Sequence, residues 1–251
     1  MKPRVLIPVA LGTNRDGDLA KAFELAGAEA ESVPLTALRS GERKLSSYDV
    51  LAVPGGFSYG DALGAGRLFG LDLESWFGDQ LREAQDRGIP MIGICNGFQA
   101  LVRAGLLPGA GAPAVLTQNE RHQFECRWVT LDPSSSRSIW TKSLTEPLRC
   151  PVAHGEGRFV SDDLDSLVAN DQVALRYVND DGSAANLSYP TNPNGSPGDV
   201  AGICDESGMI LGLMPHPENH ILERQSPLRG RDNRGLCLPL FTAGISAMVS
   251  A

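Results

Sequence analysis

The segment Gly93-Ile94-Cys95-Asn96-Gly97 constrains the fold of this chain more than any other part of the sequence. An apolar run of strand length, residues 89–94, ends at the cysteine, and a helical pattern at 97–104 follows it. A G-x-C-x-G sequence at such a junction is the cysteine form of the nucleophile elbow, in which the glycines allow a tight turn and force the central side chain outward. The pattern predicts that Cys95 is a nucleophile at a helix N-terminus, where unpaired amides favour a thiolate. The alternative is a buried cysteine in a tight turn.

The first half of the chain alternates between strand patterns and helix patterns. Strand-length apolar runs occupy residues 4–10, 48–53 and 89–94, and helical spacing of apolar residues occupies 17–27, 73–84 and 97–104. This alternation predicts an α/β fold whose sheet is mostly parallel and flanked by helices. With 251 residues and 42% hydrophobic content, the chain can bury one large core. We therefore expect a single domain spanning residues 1–251.

The second half has a different pattern. Strand-like runs at residues 124–131, 148–153 and 172–178 have few helical periods between them, which predicts an antiparallel appendage. Residues 179–199 are rich in glycine, proline and asparagine, so we expect a surface loop there. Strands at 200–204 and 209–214 are expected to pair across a short turn, and a helix at 236–249 closes the chain.

Charge, cysteine content and missing motifs exclude several classes of function. The formal charge of -8 argues against nucleic-acid or anionic-membrane partners. The first apolar stretch, residues 5–11, is too short to span a bilayer and lacks a signal-peptide cleavage pattern, so we expect a cytoplasmic protein. The five cysteines include no Cys-x-x-Cys pair, which argues against a disulfide framework or a zinc ribbon. The sequence also lacks a phosphate loop for ATP.

A nucleophilic cysteine needs a base and a group that orients the base. His216 is the best candidate, because it follows the strand predicted at 209–214 and lies between Pro215 and Pro217, which hold the chain extended. Residues two apart in an extended chain share a side, so Glu218 can fix the tautomer of His216. The alternative is a surface histidine in a proline-rich loop. His216 and His220 also flank a glutamate, but Pro217 makes a helical zinc site a poor interpretation, and we predict no metal site.

The order of Cys95, His216 and Glu218 is similar to that of the class I (triad) glutamine amidotransferases. Six segments, taken in order, resemble the purine-pathway subfamily of these enzymes, and together they are specific for it. They are PGGFSYGD at 54–61, GICNGFQ at 93–99, FECR at 124–127, AHGEGR at 153–158, YPTNPNGSP at 189–197 and GLMPHPE at 212–218. The resemblance implies a flavodoxin-like amidotransferase fold.

The resemblance also implies an activity and a set of site residues. Cys95 would attack the side-chain amide of glutamine to form a γ-glutamyl thioester, His216 would carry the proton to the departing ammonia, and Glu218 would orient His216. Backbone amides of Asn96 and of the Gly56-Phe57 turn would hold the oxyanion. The substrate-binding residues implied in this way are Gly56, Phe57, Asn96, Gln99 and His154.

The resemblance further implies partners. A separate synthetase subunit would use the ammonia, with ATP and Mg, to convert formylglycinamide ribonucleotide into the amidine, and a small bridging subunit would assist. We expect no cofactor in this chain itself. An arginine-rich stretch at 224–234 departs from the common pattern of the subfamily and is expected to be a solvated or interface loop.

Two other functions are compatible with the sequence. One is a free-standing hydrolase or chaperone of the same superfold, but those relatives carry a histidine beside the nucleophile, where Asn96 stands here. The other is a regulatory subunit without turnover, which an intact Cys95, His216 and Glu218 make less favourable. The remaining cysteines lie in or beside apolar runs and are expected to be buried and structural: Cys126, Cys150, Cys204 and Cys237.

Overall fold

The computed structural model describes residues 1–109, 113–133, 136–228 and 235–249. These residues form eleven strands and six α-helices. The strands are β1 (Arg4–Val9), β2 (Glu29–Pro34), β3 (Val50–Val53), β4 (Met91–Ile94), β5 (Ala114–Thr117), β6 (Glu125–Asp132), β7 (Leu148–His154), β8 (Arg158–Ser161), β9 (Val173–Val178), β10 (Val200–Cys204) and β11 (Ile210–Leu213). The helices are α1 (Asp16–Leu25), α2 (Leu35–Arg39), α3 (Arg67–Asp86), α4 (Asn96–Arg103), α5 (Leu164–Ala169) and α6 (Leu238–Val249).

Nine of these strands form one mixed sheet, in the order β2-β1-β3-β4-β11-β10-β9-β6-β7. The pairs from β2 to β11 are parallel. Every residue of β3, β4 and β11 is buried, as expected of parallel strands that are covered on both faces. The predicted α/β fold is therefore present in the described part of the chain.

The antiparallel strands continue the same sheet. The hairpin of β10 and β11, which the sequence predicts, sets β11 against β4, and β9, β6 and β7 follow in antiparallel pairing. The expected appendage is thus an extension of the central sheet, and the sheet is divided evenly between parallel and antiparallel pairs. A separate two-stranded sheet of β5 and β8 lies beside it.

Residues 179–199 differ from the expected surface loop. They contain no strand or α-helix, as predicted, but their second half is buried, with Asn192, Asn194 and Ser196 at most 2% exposed. Their side chains satisfy the backbone groups that are buried with them; for example, the Asn194 side chain donates to the Gly157 carbonyl at 2.8 Å and accepts from the Ser196 amide at 3.0 Å. The polar residues of this segment therefore serve internal hydrogen bonds, and their abundance does not mean that the whole segment is exposed.

The sheet brings three loops to one edge. β3, β4 and β11 are parallel neighbours, with Val53 level with Gly93 and Ile94 level with Leu213. Their carboxyl ends consequently lie side by side, at the edge where open α/β sheets bind ligands. The chain leaves these ends at Pro54, Cys95 and Met214, so the three predicted functional segments converge. Among the described helices, none is long and apolar enough to cross a membrane.

Candidate active site

Cys95 occupies a strained turn between β4 and α4. Its backbone has φ 51° and ψ -107°, a left-handed conformation that is uncommon for a residue with a side chain. The Cys95 amide donates to the Leu213 carbonyl at 2.7 Å, which ties the turn to β11. A Cβ atom on Gly97 would lie 2.0 Å from the Val53 carbonyl oxygen, and one on Gly93 would lie 2.7 Å from the Gly97 oxygen. Only glycine fits at these two positions, as the elbow pattern predicts.

His216 and Glu218 form a buried pair beside this turn. His216 Nδ1 lies 2.7 Å from Glu218 Oε1, and the two residues are 4% and 1% exposed. The His216 amide donates to the Pro151 carbonyl at 2.8 Å, which anchors the histidine to β7. A Cβ atom on Gly55 would lie 2.8 Å from His216 Cε1, so the glycine leaves room for the imidazole. The proline-held segment therefore places His216 and Glu218 together beside Cys95, the arrangement that the sequence predicts.

The charge on His216 depends on its two neighbours. Burial lowers the pKa of His216, but the Glu218 carboxylate and the Cys95 side chain, which also forms a hydrogen bond with the ring, outweigh burial and raise this pKa to about 10. The imidazole thus lies between an acid that orients it and the Cys95 sulfur, and it is charged near pH 7. Such a constellation can activate a thiol and later return the proton to a leaving group.

A cavity of about 340 Å³ opens over Cys95 and His216. This volume suits a small amino acid derivative. The structure places all five predicted substrate-binding residues on the cavity wall, together with eight further residues besides Cys95 and His216. The five are Gly56, Phe57, Asn96, Gln99 and His154, and the others are Asn14, Arg15, Asp61, Ala65, Phe124, Ala153, Gly155 and Glu156.

The floor of the cavity is a chain of polar side chains. Asn96 Nδ2 donates to Asp61 Oδ1 at 2.9 Å and to Gln99 Oε1 at 3.1 Å, and the Ser58 hydroxyl donates to Asn96 Oδ1. Gln99 Nε2 donates to the Glu156 carbonyl at 2.6 Å. Burial raises the pKa of Asp61, and the nearby Glu156 carboxylate adds to this effect. The Asn96 side chain therefore forms its hydrogen bonds within the protein. Its backbone amide, at the first turn of α4, is left to face a ligand.

Two acids of this floor are identified less clearly by the sequence than Cys95, His216 and Glu218 are. Asp61 and Glu156 lie within segments singled out by the resemblance, but neither has a local pattern that assigns it a role. The Glu156 carboxylate also accepts from the Ala65 amide at 3.2 Å, so it joins the α3 side of the cavity to the end of β7. Together they make this end of the cavity acidic.

His154 ends β7 on the cavity wall. It is 3% exposed, and its Nδ1 lies 3.1 Å from Asn119 Oδ1. Burial, reinforced by the positive charge of His216, lowers the pKa of His154 to about 3, so the ring is neutral near pH 7. Asn119 is fully buried and has no signal in the surrounding sequence Thr117-Gln-Asn-Glu, so sequence analysis does not identify it.

The four other cysteines and Arg224, which the sequence analysis also names, do not line the cavity. Cys150, Cys204 and Cys237 are buried as predicted, but Cys126 is exposed, because it faces solvent on the alternating strand β6. Of the arginine-rich stretch, Arg224 is described, whereas Arg229, Arg231 and Arg234 lie outside the described residues.

Comparison with known proteins yields consistent matches. A family model described as a CobB/CobQ-like glutamine amidotransferase domain matches residues 2–246. The chain is 48% identical to the phosphoribosylformylglycinamidine synthase subunit PurQ of Treponema denticola, over 98% of this chain and 99% of that protein. It is 40% identical to the protein of the same name from Dehalococcoides mccartyi, with 97% of each chain covered.

Solved structures agree with these sequence matches. A chain in the structure of PurLQS from Thermotoga maritima superposes with a TM-score of 0.76 at 34% identity, covering 99% of this chain and all of the other. A glutamine amidotransferase from the same organism has a TM-score of 0.56 at 18% identity, which shows a shared fold.

Proposed function

This chain belongs to the CobB/CobQ-like glutamine amidotransferase family, and on that premise we propose that it is the glutaminase subunit of a phosphoribosylformylglycinamidine synthase. It hydrolyses glutamine to glutamate and supplies the ammonia for formylglycinamidine ribonucleotide synthesis in the purine pathway. The observation that carries this function is the Cys95 elbow, which meets the buried His216–Glu218 pair on the wall of one cavity of about 340 Å³. Relatives that are 48% and 40% identical and carry the name of a subunit of that enzyme support the assignment.

In the proposed mechanism, the Cys95 sulfur attacks the carboxamide carbon of glutamine. The proton of Cys95 resides on His216, whose pKa of about 10 keeps the imidazole charged near pH 7. His216 gives this proton to the nitrogen as the carbon–nitrogen bond breaks, so that ammonia leaves and a γ-glutamyl thioester remains. Water then attacks the thioester, with His216 as the base, and releases glutamate and the thiol. Glu218 holds the imidazole and stabilises its charged form during both steps.

The oxyanion formed in each step needs preorganised donors. We assign this role to the backbone amide of Asn96, at the start of α4, and to the Gly56-Phe57 turn at the end of β3. Gly56 adopts φ +116°, and a Cβ atom there would lie 2.7 Å from the Asn14 amide, so this turn requires glycine. A donor of this kind is typically worth about 3 to 4 kcal/mol in the transition state.

The rest of glutamine would bind along the polar floor. Gln99 stands between Asn96 and the Glu156 carbonyl, where it shapes the far end of the cavity. The carboxylates of Asp61 and Glu156 make this end negative and suit the α-ammonium group of the substrate. Substrate glutamine would thus lie with its amide at Cys95 and its amino group towards the acids.

The ammonia requires a partner. We propose that a synthetase subunit, carrying ATP and Mg, receives it and that a small bridging subunit completes the complex. The structural match to a chain of PurLQS supports this assembly. Phe57 and Phe124 stack at the cavity mouth with ring centroids 6.4 Å apart while remaining 46% and 54% exposed, which suits a covering partner. The unpaired cysteines suit a cytoplasmic location.

The test measures glutamate release from glutamine by the purified chain, with and without the synthetase subunit, formylglycinamide ribonucleotide and ATP. We expect release that the partner stimulates and that Cys95→Ala abolishes, whereas the exposed Cys126→Ala is the matched control and retains activity. Strong release that is indifferent to the partner would support a free-standing hydrolase instead. Absence of release under every condition would support the regulatory subunit.

A further inference from the structure

A second cavity, of about 270 Å³, adjoins the active-site cavity. The two cavities share three wall residues, Ala65, Gln99 and Glu156. The rest of the second cavity is lined by the loop before α3, by the first residue of α3, by the end of α4 and by β5. A group that occupies the second cavity therefore contacts residues that also form the wall of the proposed substrate site.

The shared wall is held by hydrogen bonds that lead to the nucleophile. The Glu156 carboxylate accepts from the Ala65 amide at 3.2 Å, and the Glu156 carbonyl accepts from Gln99 Nε2 at 2.6 Å. Gln99 Oε1 in turn accepts from Asn96 Nδ2 at 3.1 Å, and the Gln99 amide donates to the Cys95 carbonyl at 3.1 Å. Because Asn96 supplies a proposed oxyanion donor, a shift of this wall changes the geometry at the reacting end of the substrate site.

Much of the second cavity is apolar, and part of this apolar lining is exposed. Leu63 and Val115 are 75% and 52% exposed, whereas Val102 and Leu116 are partly buried against the core. Exposed apolar side chains that surround a concave site are typical of a surface that another protein covers. The Leu63 backbone also has φ 65°, a left-handed conformation that is uncommon for leucine and is found mostly at functional sites.

Two arginines make the lining of the second cavity positive. Arg67 and Arg103 are exposed, and in the described part of the chain neither forms an ion pair with a carboxylate. Glu156 is the one acid of the lining, so the sign is opposite to the charge of -8 on the whole chain. Arg67 is also the first residue of α3, where the helix dipole disfavours a cation, so helix stability does not explain this arginine.

We propose that the synthetase subunit activates the glutaminase through the second cavity, by inserting a segment in which an apolar side chain is flanked by a carboxylate. The apolar side chain packs between Leu63 and Val115, and the carboxylate pairs with Arg67 and Arg103. Occupation of the cavity holds the shared wall in the conformation that binds glutamine and stabilises the oxyanion. This inference rests on the proposed glutaminase function.

Two substitutions remove the two halves of this recognition. Val115→Ser removes apolar contact area, and Arg103→Gln removes a charge, and neither residue lines the substrate site. Glutamate release without the partner should therefore stay at the wild-type rate in both variants. With the synthetase subunit at saturation, its stimulation of kcat/KM for glutamine should fall about fivefold or more in each, a loss within the range typical of coupling between two sites.

Matched control variants are available elsewhere on the surface. Val168→Ser changes a valine of α5 that is 43% exposed, and Arg87→Gln removes an exposed arginine at the C-terminal end of α3, as Arg103→Gln does at the end of α4. The two arginine variants lose the same interaction with a helix dipole. Both controls should keep the wild-type stimulation. Wild-type stimulation in Val115→Ser and Arg103→Gln would overturn the proposal, as would an equal loss in the controls.

Binding measurements test the coupling without turnover. In Cys95→Ala, which cannot form the thioester, the synthetase subunit and glutamine should each tighten the binding of the other by the same factor, because coupling between two sites is reciprocal. Calorimetric titration measures both factors, and the addition of Arg103→Gln should reduce them together. If glutamine does not change the affinity of Cys95→Ala for the synthetase subunit, the second cavity is not an activation site.

The proposed function and this inference fail in different experiments. Glutamate release that survives Cys95→Ala would contradict the glutaminase assignment. Partner-stimulated release that Cys95→Ala abolishes, but that Val115→Ser and Arg103→Gln leave intact, would contradict the activation site alone. If those two variants instead lose affinity for the small bridging subunit, or lose self-association, and keep their response to the synthetase subunit, the cavity has another occupant and the proposal is wrong.

Discussion

Among single residues, Glu218 has the strongest effect on His216, the proposed base. Its Oε1 lies 2.7 Å from His216 Nδ1, and both side chains are buried. Glu218→Gln keeps a side chain of similar shape but removes the charge, so the pKa of His216 should fall from about 10 towards its ordinary value. We expect kcat for glutamine to drop about 10²-fold or more, with a shifted pH profile. A variant with wild-type kcat would show that the carboxylate does not support the base.

The same pair makes stability depend on pH. A folded-state pKa near 10 means that the folded chain holds the His216 proton more tightly than the unfolded chain, whose histidines titrate near 6.5. The stabilisation is complete below about pH 6.5 and is lost as pH rises through about 10. Urea unfolding across this range should show a decline that is shallower in Glu218→Gln. Identical slopes in the two proteins would contradict the raised pKa.

His154 makes stability depend on pH in the opposite direction. Its folded-state pKa of about 3 means that the unfolded chain binds the proton more tightly, so stability falls as pH drops from about 6.5 towards 3. Carboxylates also titrate in this range, so the contribution of His154 must be measured as the difference between a variant and the wild type. The free energy of unfolding of His154→Asn, followed between pH 7 and about pH 4.5, should decline less than that of the wild type. A wild-type decline in the variant would remove His154 as a cause.

Between neighbouring elements, glycines set how closely the β4–α4 turn approaches β3. A Cβ atom on Gly97 would lie 2.0 Å from the Val53 carbonyl, which is backbone and cannot move aside cheaply. We expect Gly97→Ala to destabilise the fold by about 1 to 3 kcal/mol or more and to abolish glutamate release. Gly17→Ala in α1 is the control, since nothing lies within 4 Å of the added methyl group. It should be neutral or stabilise by up to about 1 kcal/mol in urea unfolding.

The same elements show what the sequence predicts and what it does not. β3 and β4 are apolar runs, followed by Pro54-Gly55-Gly56 and by the Cys95 turn, so their pattern is sufficient to identify them. β2 has one buried residue, Val33, on a strand of otherwise partly exposed residues at the sheet edge, and its sequence has no clear alternation. The helical spacing of apolar residues predicts that α3 begins at residue 73, six residues late. The helix begins at Arg67, after Gly66 in a left-handed conformation and without a side-chain cap that the sequence could reveal.

The candidate site likewise contains residues that the sequence identifies and residues that it does not. Cys95, His216 and Glu218 are recognised because glycines and prolines around them leave a local pattern. Asn119 acts through hydrogen bonds to carbonyls that are brought to it by β7 and by its own loop, as in its 2.8 Å bond to the His154 carbonyl, 35 residues away in the chain. Such a role depends on tertiary contacts, and no short sequence pattern reports it.

Over the whole molecule, the sheet directs the nucleophile, the base and the cavity mouth to one side. Phe57 and Phe124 come from the two halves of the sheet and stack at this mouth, although both remain about half exposed. An exposed aromatic pair beside a site that must deliver ammonia is suited to burial under the synthetase subunit, because aromatic residues in such positions often dominate binding energy.

This location makes binding to the partner testable separately from chemistry. Phe124→Ser should raise the dissociation constant for the synthetase subunit about tenfold or more, the cost of about 1.4 kcal/mol or more expected for an interface anchor. Leu25→Ser is the matched control: it is 40% exposed, but it ends α1, which runs back from the carboxyl edge of the sheet to the opposite side. Calorimetric titration should therefore show weaker binding for Phe124→Ser alone. Equal affinities would mean that the partner covers the site without contacting this aromatic pair, so that ammonia leaves by another side of the cavity.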